Sequence, residues 1–210
     1  MPLTPYEWRM SNDPGWAMNE GGLFFEGQSA VNRALHRITK RLEELAISYA
    51  VVGGMALFQH GVRRFTEVVD ILVTQEGLAR IHTALAGLGY VPPFAGSKNL
   101  RDAELGVKVE FIVCGQFPGD GKPKPVAFPD PADVAEVHQG IRFINLATLV
   151  QLKLASGMTN LDRMKDLTDV YELIKQTNLS RDLANQLDPY VRDKYLELWE
   201  TAAKFGREES

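Results

Sequence analysis

The segment VVGGMALFQHGVRRFTEVVDILV, residues 51–73, constrains this chain more than any other. The apolar run that ends at Val52 reads as a short buried strand. Gly53 and Gly54 break it, and Met55 to His60 reads as one or two helical turns. Val68 to Val73 reads as a second buried strand. Two glycines at that junction have a physical use. Without Cβ atoms, the amides at a helix start can approach and cradle a phosphate. Arg63 and Arg64 follow with guanidinium forks suited to phosphate oxygens. Asp70 stands inside an apolar run, where a carboxylate is costly unless it meets a cation or a donor. A hard cation such as Mg²⁺ would meet that need. Taken singly, the glycine pair is equally a plain helix start, and Asp70 is equally a hydrogen-bonded structural carboxylate.

The rest of the chain sets the frame. It has 210 residues, 45% apolar and 24% charged, which excludes a disordered, collagenous or disulfide-scaffold protein. Its net charge of −4 argues against a basic nucleic-acid coat but leaves a local basic groove open. The lone Cys114 has no partner for an internal disulfide, so a cytoplasmic location is expected. No apolar run approaches membrane-spanning length, and the N-terminus lacks a signal-peptide pattern.

Residues 1–27 are rich in Gly, Pro, Asn and Trp and read as an arm laid over the surface or over a second copy in a homodimer. Lining of the chain's own core is the other reading of its aromatic residues. Residues 28–145 form the expected α/β core. An amphipathic helix runs from Gln28 to Leu45, with Val31, Leu35, Ile38 and Leu42 on one stripe. A second helix runs from Glu76 to Leu88, closed by Gly89. A third strand covers Val107 to Val113. Residues 115–131 are a Gly/Pro-rich loop. Residues 146–210 are expected to be a helical region that completes a cleft, with helices at Leu146–Gly157 and Leu161–Gln176 and one or two more over Arg181–Phe205. Met164, Leu167, Tyr171 and Ile174 form the buried stripe of the second. The fold class is α/β (α+β), a small mixed β-sheet packed with helices.

A second carboxylate matches the setting of Asp70. In Val107-Lys108-Val109-Glu110-Phe111-Ile112-Val113, alternation puts Lys108, Glu110 and Ile112 on one face. On an adjacent strand Glu110 would face Asp70; on an edge strand it would be solvated. His36, His60, His82 and His138 lack metal-ligand spacing, and no serine elbow or Walker-type loop is present.

A Gly-Gly followed by RxTxDxD resembles the motif of the DNA polymerase β-like nucleotidyltransferase superfamily. Lys153 followed by Arg163-x-Lys165-Asp166-x-x-Asp169 is similar to a bacterial subgroup related to AbiEii-type toxin nucleotidyltransferases. The resemblance spans roughly residues 45–175. It implies transfer of a nucleoside monophosphate from an NTP to a hydroxyl acceptor, which could be an RNA end, a protein or a small molecule. Asp70 and Glu110 would hold Mg²⁺. Gly53, Gly54, Arg64, Thr66 and Arg163 would bind the nucleotide, Lys153 would neutralise phosphate charge, and Asp166 would orient Lys153 or the acceptor. One position departs from the motif. Val68 stands where the first acid of DxD belongs, and Glu67 points to the opposite strand face. The alternative implied is a non-catalytic member that binds nucleotide or a partner in a toxin–antitoxin-like system.

Overall fold

The computed structural model describes residues 5–208. The first four positions of the expected arm and the last two of the helical region lie outside the described residues. The N-terminal half contains α1 (Pro5–Asn12), α2 (Pro14–Phe25), α3 (Ala30–Glu44), β1 (Tyr49–Val51), α4 (Gly53–Gln59), β2 (Val68–Val73) and α5 (Gln75–Leu85). Then come β3 (Tyr90–Val91), β4 (Leu100–Asp102), β5 (Lys108–Val113), α6 (Pro131–Val134), β6 (Ala135–His138) and β7 (Ile141–Ile144). The chain closes with α7 (Leu146–Gly157), α8 (Met164–Thr177) and α9 (Pro189–Glu208), with short 3-10 turns before α8 and α9.

Seven strands form one mixed sheet in the order β3-β4-β5-β2-β1-β7-β6. The β2–β5 and β1–β7 pairs are parallel and the others antiparallel. The parallel pair β2–β5 sits at the centre, with Asp70 opposite Glu110. Along both strands the alternate residues Val69, Ile71, Val109 and Phe111 are fully buried. Their neighbours Val68, Asp70, Lys108 and Glu110 are only partly covered. Period-two alternation thus sends the apolar set into the core and the charged set into a cleft.

The region before α3 is more ordered than its composition suggests. Asp13 caps α2, accepting from the Trp16 amide at 3.0 Å, and Pro14 starts the helix. Phe24 is fully buried, with its ring 5.2 Å from both Phe58 and Phe65. Trp8, Met18 and Phe25 stay exposed. The short strands β3, β4, β6 and β7 escape a periodicity reading because two to four residues cannot display a period. β6 and β7 turn through Gln139 and Gly140, both at positive φ, which matches the twist of a two-residue hairpin. The second helix ends at Leu85, short of Gly89, with Ala86 already extended. Met164 does not belong to a buried stripe: as the first residue of α8 it is 53% exposed, whereas Ile174 is buried.

Phe24→Ala should destabilise the chain by about 3–5 kcal/mol, because a fully packed ring leaves a cavity between α2 and α4. Urea unfolding reads this as a lower midpoint. A loss below about 1 kcal/mol would show that α2 is not part of the cooperative unit.

Candidate functional site

A cavity of about 510 Å³ lies over the β2–β5 pair. Its floor carries Val68, Asp70, Glu110 and Ile112, and one wall is the start of α4 with Gly53 and Gly54. Arg64 and Thr66 come from the segment joining α4 to β2. The opposite wall is helical, with Lys153 and Ser156 on α7 and Asp166 and Asp169 on α8. Phe117, Pro118, Gly119 and Phe128 of the long loop close the rim.

Gly53 is required by a close approach. Its φ is +61°, and a Cβ there would stand 2.0 Å from Oδ2 of Asp70. A Cβ on Gly54 would meet Thr66 at 2.7 Å. The Gly54 amide donates to the Asp70 carboxylate. One of the amides expected to cradle a phosphate is therefore engaged inside the protein. Burial of the Asp70 carboxyl, reinforced by neighbouring Glu110, pushes it up to about 6 against the opposing pull of Lys153, the Gly54 amide and Lys108.

The helical wall holds an ion-pair network. The Lys153 ammonium donates to Oδ1 of Asp166 at 2.9 Å and to Oδ2 of Asp169 at 2.7 Å. Arg64 donates to the other oxygen of Asp169. The Ser156 hydroxyl donates to Asp166 at 2.6 Å. Burial pushes the Asp166 carboxyl up, but Lys153, the Ser156 hydroxyl and Arg163 together hold it below the usual carboxylate range. Two carboxylates thus orient one lysine and one arginine toward the cavity.

The structure brings Gly53, Gly54, Arg64, Thr66, Asp70, Glu110, Lys153, Arg163 and Asp166 around one cavity. Arg163 lies at the rim, where its guanidinium donates weakly to the Gly119 carbonyl at 3.5 Å. The Thr66 hydroxyl is spent locally on the backbone of Val68. Arg63 is exposed and lies outside the cavity lining. Lys124 braces the loop, donating to the Pro118 carbonyl and to Asp120, both at 2.6 Å. Ser156, Lys98, Phe117 and Phe128 also line the cavity and were not expected. Of these only Ser156 had a usable signal, one turn beyond Lys153 on the same helix face.

The donor set does not fit a two-ion Mg²⁺ centre. Val68 shares the cleft face with Asp70 and offers no oxygen. Glu110 is already ion-paired to Lys108. Among the described residues, no group of three or more His, Cys, Asp or Glu side chains is placed to hold a metal ion.

No protein-family model matches the sequence, and no curated protein matches it. Solved structures do. The solution structure of the antibiotic-resistance factor ANT(2'')-Ia aligns over 83% of this chain and 95% of that chain, with a TM-score of 0.51 and 12% identity. The crystal structure of ANT(2")-Ia in complex with adenylyl-2"-tobramycin aligns over 82% and 96%, at 0.49 and 11%. JHP933 from Helicobacter pylori aligns over 92% and 93%, at 0.43 and 17%. The chain shares its mixed α/β fold with ANT(2'')-Ia. Among the described residues no helix is long and apolar enough to cross a membrane.

An Asp70 carboxyl that titrates near 6 in the folded chain and near 3.9 in the unfolded one binds its proton more tightly when folded. Its ionised form therefore opposes folding. That contribution costs stability above pH 6 and disappears as pH falls toward 4. Asp70→Asn should stabilise the chain at pH 7–8 by on the order of 2–3 kcal/mol, with the difference closing near pH 4. Urea midpoints across pH 4–8 measure it. A constant difference between the two proteins over that range would show that Asp70 is not raised.

Proposed function

We propose that the cavity is a nucleoside-triphosphate site, and that this chain binds the nucleotide without efficiently transferring its nucleoside monophosphate. The observation that carries this is the in-register pair Asp70 and Glu110, with Val68 on the same cleft face. Nucleotidyl transfer joins an acceptor hydroxyl oxygen to the α-phosphorus and releases pyrophosphate. The divalent ions associated with that chemistry supply charge neutralisation at the attacking and leaving oxygens. With valine at position 68 the acidic set is short by one carboxylate.

The chain's own residues support the binding half of the reaction. Arg64 and Lys153 are held by Asp169 and Asp166 with donor protons left over for phosphate oxygens. Arg163 and Lys165 stand at the rim of the same cavity, where a terminal phosphate would leave or enter. Phe117 and Phe128 offer apolar walls for a base. The spacing of Lys153, Arg163, Lys165, Asp166 and Asp169 supports a place beside the AbiEii-related bacterial members. An acceptor with a free hydroxyl is the partner that the transferring relatives of this design would require.

Titration calorimetry with the four NTPs should show binding to at least one, and a labelled-NTP assay should show little or no transfer. Arg64→Ala should weaken binding about tenfold, or roughly 1.4 kcal/mol. Val68→Asp should lower the melting temperature without metal, since like charges then crowd one strand face. It should regain stability with Mg²⁺, by about 2.7 kcal/mol at a hundredfold excess over Kd. Efficient transfer by the unmodified chain would overturn the proposed loss of catalysis. Absence of binding by every NTP would overturn the nucleotide site itself.

A further inference from the structure

Four side chains form a square on one face of the two central strands, at the cleft floor and its edge. Val68 of β2 is the register partner of Lys108 of β5, and two residues on, Asp70 is the partner of Glu110. Positions two apart on a strand share a face, so all four point the same way. Lys108 reaches along its own strand and forms an ion pair with Glu110. Its charge also acts on Asp70. The square therefore holds two carboxylates, one ammonium and one valine. A divalent cation placed between Asp70 and Glu110 would have to displace or crowd that ammonium, and Val68 would give it nothing in return.

We infer that Lys108 is a tethered countercation that takes the place of a divalent ion, so that the cleft takes up a nucleoside triphosphate as its metal-free anion. This rests on the reading of the cavity as a nucleotide site. The surrounding charge favours it. Arg64, Lys98, Lys153, Arg163 and Lys165 line the cavity against the four carboxylates Asp70, Glu110, Asp166 and Asp169. Lys108, whose ammonium sits on Glu110, adds a further positive charge beside them. The cleft is thus locally cationic in a chain whose net charge is −4. An excess of one sign between low-dielectric walls draws in ions of the other. A metal-free triphosphate carries more negative charge than its Mg²⁺ complex and gains more from such a site.

The test titrates the four NTPs into the intact chain, first in EDTA and then with excess MgCl₂. The dissociation constant should be at least threefold lower in EDTA, because excess Mg²⁺ binds the nucleotide and withdraws its metal-free anion. Mn²⁺ added to the nucleotide-free chain, followed by its electron paramagnetic resonance signal, should show no site. Lys108→Met should weaken binding in EDTA tenfold or more, recover it when Mg²⁺ is added, and acquire a Mn²⁺ site. Lys108→Arg keeps the charge and should behave as the unmodified chain does. Melting curves establish that the variants are folded, and the unmodified chain and Lys108→Arg decide the matter if Lys108→Met is not. A dissociation constant in excess Mg²⁺ within threefold of that in EDTA, or below it, would overturn the role of Lys108 and leave the nucleotide site standing. So would Lys108→Met binding in EDTA as the unmodified chain does. Absence of NTP binding in both conditions would overturn both.

Discussion

Asp169 accepts from Arg64 with one oxygen and from Lys153 with the other. Arg64 belongs to the segment leading into the central strand, Lys153 to α7 and Asp169 to α8. One nearly buried carboxylate therefore ties the sheet half of the molecule to the helical half. Asp166 and Ser156 complete the arrangement from the same helices. Buried ions are expensive to desolvate, and the cost is recovered only when every partner is present. Here three of the four charged groups are stitched to two others or to a hydroxyl, so removing one strands the rest. The cavity exists in its present shape because that network fixes the distance between its two walls.

The floor of the cavity obeys a different constraint. Asp70 is held next to a like charge in a partly dry setting, and only Gly53 leaves room for it. A protein selected for stability alone would place an apolar residue there, since the strand around it is Val, Ile and Leu. Holding an ionisable group against its preference is characteristic of sites that handle charged ligands. The helical wall, by contrast, is electrostatically satisfied. The site thus combines a strained floor with a relaxed wall, and an anionic ligand would be held by the spare donor protons of Arg64 and Lys153, away from the floor carboxylates.

Much of this could be read from residue order, for identifiable reasons. The central strands carry long apolar runs around single acids, so β2 and β5 declare themselves. α3 follows three-to-four-residue periodicity over fifteen positions, enough to be unmistakable. The convergence of Asp70 with Glu110 needed one further assumption, that the two strands are neighbours, and the sheet order supplies it. What escaped was set by length or by distance along the chain. Strands of two to four residues have no period. The helices before α3 depend on Asp13 and Pro14 at a single junction, and on a ring socket for Phe24 built by residues more than thirty positions later. The pairing of Lys108 with Glu110 was implicit in their alternation. Its competition with a metal became visible only once Val68 stood opposite Lys108.

The parallel pairing of β1 with β7 joins Val51 to Phe143, and Arg64 meets Asp169 across 105 positions of chain. Both contacts close large loops, and chains dominated by such contacts fold slowly. During synthesis β1 emerges with one edge unclaimed until the hairpin that carries β7 has left the ribosome. Arg64 waits longer still. The cleft consequently acquires its shape only after α8 has emerged. A nascent chain halted before α8 would present the sheet without the wall that defines what it can hold.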